Sequence, residues 1–353
     1  MSSIVNADAL TLNAREADTV SKVIFERVFN QSDLSEYHDV ETGVDMKTQI
    51  AFAGRIGLLG KASAGCAPNE AAGLTFTEKF WDPAVEDFRL KHCQGDMPKL
   101  LKLFKSAKKM NPDFYDVVGS PEFGVVIAAV EDGMKENIHR KIWFNDLTAA
   151  TTANGGSFKV GTDLGYWNTF NGLFKQIFTE VPTTAPNYVA ISANTGNSYV
   201  NQALAADAAL TILGSMYAAA DSRLLQDPNA FFLVTRSIAD NYRATLRNKN
   251  LGAGFLEVVE GGRTKLTFEG KEVKTRYDWD MYIQGYQNNG TKYNLPHRAV
   301  FTTKSNIPVG TLSEEDLQKL DVFYDKTLKT NIIDGVYTLD AKHLEKYMTV
   351  AAY

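Results

Sequence analysis

The segment from Tyr37 to Phe88 constrains the fold most, because its pattern is extended but too thin in apolar residues to build a core of its own. Two alternating stretches, residues 45–52 and 74–80, predict strands. The segment is punctuated by glycines, namely Gly43, Gly54, Gly57, Gly60, Gly65 and Gly73. We expect two long strands joined by a flexible tip. Because a lone two-stranded ribbon is marginally stable in water, this hairpin must lie on another surface.

The rest of the chain has enough apolar material for real cores. It has 353 residues, 44% of them hydrophobic, with 20 Phe, 15 Tyr and 4 Trp, which predicts two domains plus extended segments. The 37 basic and 42 acidic residues give a net charge of −5, which argues against a sequence-reading nucleic-acid binder with a broad cationic face.

The two cysteines, Cys66 and Cys93, have no zinc or redox spacing. We therefore expect free thiols and assembly in a reducing cytoplasm. The N-terminus lacks a basic region followed by an apolar run, and no stretch approaches 18 uncharged apolar residues. The sequence thus predicts a protein that is neither secreted nor membrane-spanning.

Three helices are predicted in the first half of the chain. A short one lies within residues 1–35, and an amphipathic one over 97–110 carries five lysines off its apolar face. We interpret those lysines as a solvated face, with contact to packaged nucleic acid as the alternative. The best helix has Ser120 as N-cap and Pro121 at its first position, and it should run for about twenty residues, or about 30 Å. Its apolar stripe is Phe123, Ile127, Val130, Met134, Ile138 and Ile142.

A loop or domain boundary is predicted over residues 145–162, which are rich in Thr, Ala, Asn and Gly. The body that follows alternates helical and strand-like patterns, which predicts α/β character around one sheet. The helical stretches are 167–178 and 200–219, and the strand-like runs are 230–235, 266–268 and 298–302.

Catalytic chemistry is scarce in this sequence. The segment Gly54–Ala62 superficially resembles a phosphate-binding loop, but its glycine spacing is one residue too long and Ala62 stands where a Ser or Thr must reach magnesium. The acidic pair in 277–280 has no accompanying base, so we interpret it as part of a strand or turn with solvated carboxylates. We expect the five scattered histidines to be surface or interface residues, since none is paired at metal-ligand spacing: His38, His92, His139, His297 and His343. No catalytic, cofactor-binding or metal-binding residue is predicted.

Several stretches carry a resemblance to a known family. They are 75–96, 212–217, 227–235, 242–246, 266–270, 295–311, 336–340 and the terminal 347–353. The order of these parts resembles the major capsid proteins of tailed bacteriophages, which have the Hong Kong 97 fold. The parts are, in order, an arm, a glycine-punctuated hairpin, a long helix and an α/β body with a returning C-terminal passage. None of these stretches is diagnostic by itself, and their joint order carries the resemblance.

The resemblance implies an α+β fold with a fixed order of parts. These are an N-terminal arm (1–36), an extended β-hairpin loop (37–95), a peripheral domain (96–160) with a spine helix over 120–143, an axial α/β domain (161–310), a peripheral strand return (311–332) and a C-terminal segment returning to the axial domain (333–353).

The resemblance also implies a function without enzymatic activity. The chain would self-assemble into hexamers and pentamers of an icosahedral virion capsid, assembled in the host cytoplasm around the double-stranded DNA genome of a tailed phage. Expected partners are further copies of itself, a portal protein, a separate scaffolding protein, decoration proteins and DNA bound non-specifically. The alternatives are an encapsulin-like nanocompartment shell and, from another class, a soluble α/β enzyme.

Four aromatic residues of the predicted loop are candidate inter-subunit contacts, because their burial against neighbours would remove apolar area from water. Packing within their own subunit is the alternative, since cores and interfaces enrich the same residues. The four are Phe76, Phe80, Trp81 and Phe88.

Overall fold

The computed structural model describes residues 34–53, 76–93, 121–249, 256–259, 263–313, 317, 319–328 and 330–353. Within these ranges only the backbone is described for 52–53, 76–77, 92–93, 121–126, 256–259 and 263–264.

Helices and strands are both abundant in the described residues. The α-helices are α1 (Pro121–Phe144), α2 (Leu173–Glu180), α3 (Ala208–Ala219), α4 (Ser222–Gln226), α5 (Arg236–Asn248) and α6 (Tyr277–Tyr286). The strands are β1 (Val40–Glu41), β2 (Gln49–Ala53), β3 (Phe76–Phe80), β4 (Ala84–Cys93), β5 (Tyr188–Val189), β6 (Phe231–Thr235), β7 (Leu256–Val259), β8 (Arg263–Phe268), β9 (Lys271–Arg276), β10 (Ala299–Thr302), β11 (Val309–Gly310), β12 (Asp321–Asp325), β13 (Thr330–Ala341) and β14 (Val350–Ala352). The predicted α+β class is confirmed.

A seven-stranded sheet of order β5-β14-β10-β6-β9-β8-β7 forms the larger body. Its central strands β6 and β10 are buried at every position, as expected for near-continuous apolar runs. Phe232 and Phe301 stack across them with ring centroids 4.1 Å apart. Helices α3 and α5 cover this core with buried side chains such as Leu213 and Tyr242. The strands and helices of this larger body agree with the α/β character predicted for it.

A five-stranded sheet forms the second body, with the twelve-residue β13 at its centre. β4 pairs with β13 over ten residues, from Ala84 opposite Leu339 to Cys93 opposite Thr330. Helix α1 lies along this sheet, where Ile127 and Val130 pack near Ile333. The predicted stripe of α1 is thus confirmed from Ile127 onward, and Met134, Ile138 and Ile142 join the main core.

An aromatic cluster joins the two bodies at the C-terminal end of α1. Trp143 contacts Phe174 of α2 and Trp279 of α6, with ring centroids 5.1 and 4.6 Å apart. All three rings are buried in the core cluster that also contains Leu339 and Ala351 from the C-terminal strands. The spine helix and both sheets therefore share one core.

Strands β2 and β3 form a separate antiparallel ladder, with Gln49 opposite Phe80 and Ala53 opposite Phe76. The predicted hairpin strands are therefore confirmed at the base of the hairpin. Its tip, the phosphate-loop-like stretch 54–62, the arm over 1–33 and the lysine-rich stretch 97–110 lie outside the described residues.

Two predicted helices begin later in the chain than expected. α2 begins at Leu173 and not at 167, because Gly172 approaches the end of α1 so closely that a Cβ there would lie 2.9 Å from the Asn145 nitrogen. α3 begins at Ala208 and not at 200, because Asp207 before it adopts the left-handed conformation with φ of 62°. The strand-like runs of the same body are confirmed as β6, β8 and β10.

The predicted domain division stays a prediction. Two described strands, β4 and β13, bear on its boundaries. Residues 84–93 of the predicted loop form β4 and belong to the five-stranded sheet, because they pair along the whole of β13. The boundary between 332 and 333 falls inside β13, which continues to Ala341. The buried Leu339 and Ala341 hold this strand in the core, so only β14 returns to the larger sheet.

Candidate assembly surfaces

The base of the hairpin is fixed in the body of its own subunit by Trp81. The indole is 2% exposed and packs on Gly310 of β11 so closely that a Cβ there would lie 2.9 Å from the ring. The Trp81 backbone nitrogen also donates to the Thr48 carbonyl at 2.8 Å. The ends of β2 and β3 nearest Trp81 are therefore held at a defined position.

A polar network, here called the hairpin lock, adds a second attachment. Lys79 Nζ lies 2.5 Å from Glu180 Oε1 and donates to the His343 carbonyl at 2.6 Å. His343 Nδ1 lies 2.7 Å from Glu180 Oε2, and its Nε2 lies 2.8 Å from Thr349 Oγ1. The lock thus joins β3, α2 and the C-terminal segment.

The charged groups of the hairpin lock and their burial shift the pKa values of Glu180 and His343. Burial opposes ionisation of Glu180, but its hydrogen bonds and charge interactions with His343 and Lys79 hold the pKa of this carboxyl below its ordinary value. Burial lowers the pKa of His343, which favours the neutral imidazole at neutral pH. The ion pair between Lys79 and Glu180 is therefore present at neutral pH.

A third attachment lies just after the hairpin. The backbone nitrogen of Asp82 donates to Asp340 Oδ2 at 2.7 Å, and Lys342 Nζ lies 3.0 Å from the same oxygen. Asp340 is fully buried, and burial raises its pKa despite these partners. The chain is thus held between the hairpin and β4.

The predicted aromatic contacts differ in how far they are exposed. Phe80 is 41% exposed, with Lys47 Nζ 5.4 Å from its ring centroid. Trp81 packs within its own subunit and has almost no surface to offer a neighbour. Phe88 is half-buried and packs over Gly335 of β13. The side chain of Phe76 lies outside the described residues, so Phe80 is the candidate contact that the described surface supports.

The outward face of the five-stranded sheet carries apolar residues that the sequence analysis did not single out. Val85 is 67% exposed, Val336 57% and Leu312 45%. Val85 lies opposite Thr338 in the ladder, and Thr338 Oγ1 accepts a hydrogen bond from the Leu312 nitrogen. These three residues are here called the sheet patch. Alternation along β4 was the signal that could have revealed Val85, since neighbouring residues of a strand face opposite sides.

A buried ion pair fixes α1 to β4. Lys141 of α1 donates to Glu86 Oε2, and both side chains are less than a tenth exposed. Burial lowers the pKa of Lys141, and the hydrogen bond to Glu86 opposes that shift. Breaking such a pair leaves an uncompensated buried charge, so the helix and the sheet should move as one unit.

The expectation of surface histidines is wrong for the four whose side chains are described. The rings of His38, His297 and His343 form hydrogen bonds inside the protein. His38 Nδ1 lies 2.8 Å from the Ile307 carbonyl, and His297 Nε2 lies 2.5 Å from the Gln202 carbonyl. Burial lowers the pKa of both rings. The exposed fractions are 1% for His38, 3% for His139, 6% for His297 and 0% for His343.

The acidic pair of 277–280 lies in the first turn of α6, which corrects the predicted strand or turn. Asp278 forms a buried ion pair with Arg276 at 2.5 Å. Asp280 accepts a hydrogen bond from the Arg236 nitrogen at 2.7 Å, and burial raises its pKa to about 6. Both carboxylates are therefore used in joining α6 to its neighbours.

A cleft of about 570 Å³ is lined by Asp39, which precedes β1, and by residues of β6, β8 and β9 in the seven-stranded sheet. Lys304 Nζ donates to the Ser35 carbonyl at 2.7 Å, and Lys274 Nζ donates to the Glu36 carbonyl at 3.1 Å. β1 then pairs in parallel with β11. The chain that follows the arm is thus attached to both bodies.

Within the described part of the chain, no group of three or more His, Cys, Asp or Glu residues is arranged to hold a metal ion. No helix in the same ranges is long and apolar enough to cross a membrane. The predicted pairing state of the cysteines is not tested, because Cys66 and the side chain of Cys93 lie outside what is described.

Comparison by sequence matches the chain to no family profile and to no curated protein. Comparison by structure gives matches over almost its whole length. The capsid of Myoviridae phage XM1 has a TM-score of 0.56 at 10% identity, over 98% of this chain and 99% of that one. The capsid of the empty GTA particle has a TM-score of 0.53 at 12% identity, over 99% and 98% of the two chains. The holo-SrpI encapsulin complex from Synechococcus elongatus PCC 7942 has a TM-score of 0.50 at 8% identity, over 97% and 95%.

Proposed function

Because this chain has the Hong Kong 97 capsid fold, we propose that it is the major capsid protein of a tailed phage. In this proposal many copies assemble into hexamers and pentamers of an icosahedral head that encloses a double-stranded DNA genome. The observation that carries the proposal is the match to capsid structures over nearly the whole chain, including the rooted hairpin and the long helix.

A stiff body and a firmly held hairpin base suit this function. One sequence must form rings of six and of five, so contacts between copies must adapt while each subunit keeps its shape. The aromatic cluster and the Lys141–Glu86 pair support a stiff body around α1. The hairpin root is held by Trp81 and the hairpin lock, so the hairpin can lie over a neighbouring subunit without being released from its own.

Two surfaces are proposed as contacts between copies. The first is Phe80 at the hairpin base, and the second is the sheet patch of Val85, Leu312 and Val336. Exposed apolar residues that lie together are typical of interaction sites. Burying them against a second copy would remove apolar area from water at about 25 cal/mol per Å².

The proposed partners follow from the shell. They are other copies of the chain, a portal protein, a separate scaffolding protein, decoration proteins and packaged DNA, with assembly in the host cytoplasm and residence in the virion. The net charge of −5 agrees with non-specific enclosure of DNA more than with tight binding of it. No enzymatic activity is proposed, since the described acidic pair and histidines are engaged in buried structural contacts.

An encapsulin-like nanocompartment shell is the second candidate, favoured by the match to the SrpI encapsulin complex. Such a shell would enclose protein cargo in place of a genome. Particles with a portal and packaged DNA distinguish the phage head from it. A soluble α/β enzyme is the remaining alternative, and it would be supported by turnover of a small molecule by a protein that never forms shells.

The proposal is tested by purifying the protein and following its size by size-exclusion chromatography and negative-stain electron microscopy. A capsid subunit is expected to elute as capsomers or shells and to give closed particles. Elution only as a monomer or small oligomer, under every assembly condition tried, would contradict the proposal.

A further inference from the structure

Arg298, just before β10, is a buried cation with incomplete pairing. Its side chain is 2% exposed, and its Nε donates to the Leu295 carbonyl at 2.9 Å. Its Nη2 donates to Gln287 Oε1 at 2.6 Å and to the Asn294 carbonyl at 3.0 Å. Among the described residues no acceptor is found for the two N–H groups of Nη1. Three of the five donors of this guanidinium are therefore used, and two are left.

The charge of Arg298 is also left without an anionic partner. No carboxylate of the described residues lies within ion-pair distance of it, and the faces of Phe144, Phe174 and Phe178 surround it, with Phe174 nearest at 4.5 Å. Burial lowers the pKa of Arg298 to about 9, and the more distant charge of Asp280 only partly opposes this shift. The guanidinium is still protonated at neutral pH. Buried arginine is ordinarily paired, so this site lacks an anion.

A cavity of about 280 Å³ lies beside this guanidinium. Its walls combine aromatic rings with polar side chains from the residues just after α1, from α2 and from the 287–295 segment. Asn145 in the wall has a buried Oδ1 without a hydrogen-bond partner. Asp146 in the wall is neutralised by Lys175, whose Nζ lies 3.1 Å from its carboxylate. The uncompensated charge of the lining is therefore the single positive charge of Arg298.

We propose that this cavity, the Arg298 pocket, binds a carboxylate group. A singly charged carboxylate would balance Arg298 and accept hydrogen bonds from Nη1, whereas a dianion such as phosphate would leave one negative charge in surroundings of low polarity. The rings of the wall suit an apolar body attached to that carboxylate. The carboxylate comes from a small organic acid in solution or from an acidic side chain of a second copy. Binding of a small acid to the pocket does not depend on the function proposed above, whereas the second-copy source rests on it.

Calorimetric titration of the purified protein with benzoate, and with benzamide as the neutral molecule of the same shape, tests the pocket. Charge-assisted hydrogen bonding predicts that benzoate binds about tenfold or more tightly than benzamide. Arg298→Met should abolish the preference. Thr179→Tyr, which keeps Arg298 but places a large side chain at the mouth of the cavity, should abolish binding even if Arg298→Met does not fold. Thr184→Tyr, at an exposed position outside the cavity, is the matched control and should bind as the wild type does.

The source of the carboxylate is distinguished in assembled particles by high-resolution electron microscopy. Separate density at Arg298 Nη1 identifies a small acid, and density continuous with an Asp or Glu of a neighbouring chain identifies a second copy. Either result supports the pocket. Equal affinity for benzoate and benzamide together with no density at Nη1 overturns the proposal, and so does benzoate binding that Thr179→Tyr leaves unchanged.

Discussion

Replacing Trp81 and Phe80 separately by alanine should damage two different properties, although the residues are neighbours in sequence. Trp81 is 2% exposed inside its own subunit, whereas Phe80 is 41% exposed. A buried Trp removes about 200 Å² from water, worth about 5 kcal/mol at 25 cal/mol per Å². Allowing for relaxation around the cavity, Trp81→Ala should lower the free energy of unfolding by about 3–5 kcal/mol.

Phe80→Ala should act mainly on assembly. With about 200 Å² of surface for a Phe side chain, the 41% that is exposed leaves about 80 Å² for a neighbouring copy. That area is worth about 2 kcal/mol per contact. The cost to the isolated subunit should be smaller, about 1 kcal/mol, as for an average substitution.

Urea unfolding of dissociated subunits measures the first property, and the yield of closed particles in electron micrographs measures the second. We expect Trp81→Ala to shift the urea midpoint strongly, and Phe80→Ala to give folded subunits with a reduced particle yield. An unchanged midpoint for Trp81→Ala would refute the assignment of this indole to the core. A wild-type particle yield for Phe80→Ala would remove Phe80 from the contacts between copies.

Three further predictions follow from the hairpin and the sheet. Gly335→Ala should cost about 1–3 kcal/mol of stability by overpacking, because its Cβ would lie 2.5 Å from the Phe88 ring. The control Gly133→Ala, inside α1 with nothing within 4 Å of its Cβ, should instead stabilise the protein by about 0.5–1 kcal/mol. The urea midpoints of the two variants compare these effects. The pKa of Glu180 is held below its ordinary value of 4.5, so its contribution to stability is complete above that pH and is lost as the pH falls through the lower folded pKa. The urea midpoint of Glu180→Gln should therefore fall less on acidification than that of the wild type. Urea midpoints that fall equally in both proteins would contradict this. Deletion of Gly57–Gly73, which lies outside the described residues, should leave a soluble folded subunit that forms no closed shells, and normal particles in micrographs would exclude the hairpin tip from assembly.

Sequence patterns over a few residues predicted the helices and strands that depend mainly on interactions between neighbouring residues. The capping residues and apolar stripe of α1 placed that helix within one residue at its C-terminal end, and the apolar runs placed β6, β8 and β10. Period and turn chemistry act over a few residues, so a single sequence reports them well. The starts of α2 and α3 were misplaced because close packing at Gly172 and a left-handed residue at Asp207 decide them.

Contacts between distant parts of the chain were not predictable in the same way. The Lys141–Glu86 pair joins residues 55 positions apart, and the hairpin lock joins residues as far as 264 apart. The histidines were misjudged because whether a ring is buried depends on distant backbone carbonyls such as that of Gln202. For the same reason the sequence left open whether Trp81 contacts another copy or packs within its own subunit, and its position against Gly310 favours the second alternative.

The central claim, that this chain works only as one of many copies in a curved shell, is tested most directly by negative-stain electron microscopy of the purified protein. We predict closed particles of uniform size built from rings of six and five subunits. A field of monomers or small oligomers at high protein concentration, under every assembly condition tried, would contradict the claim.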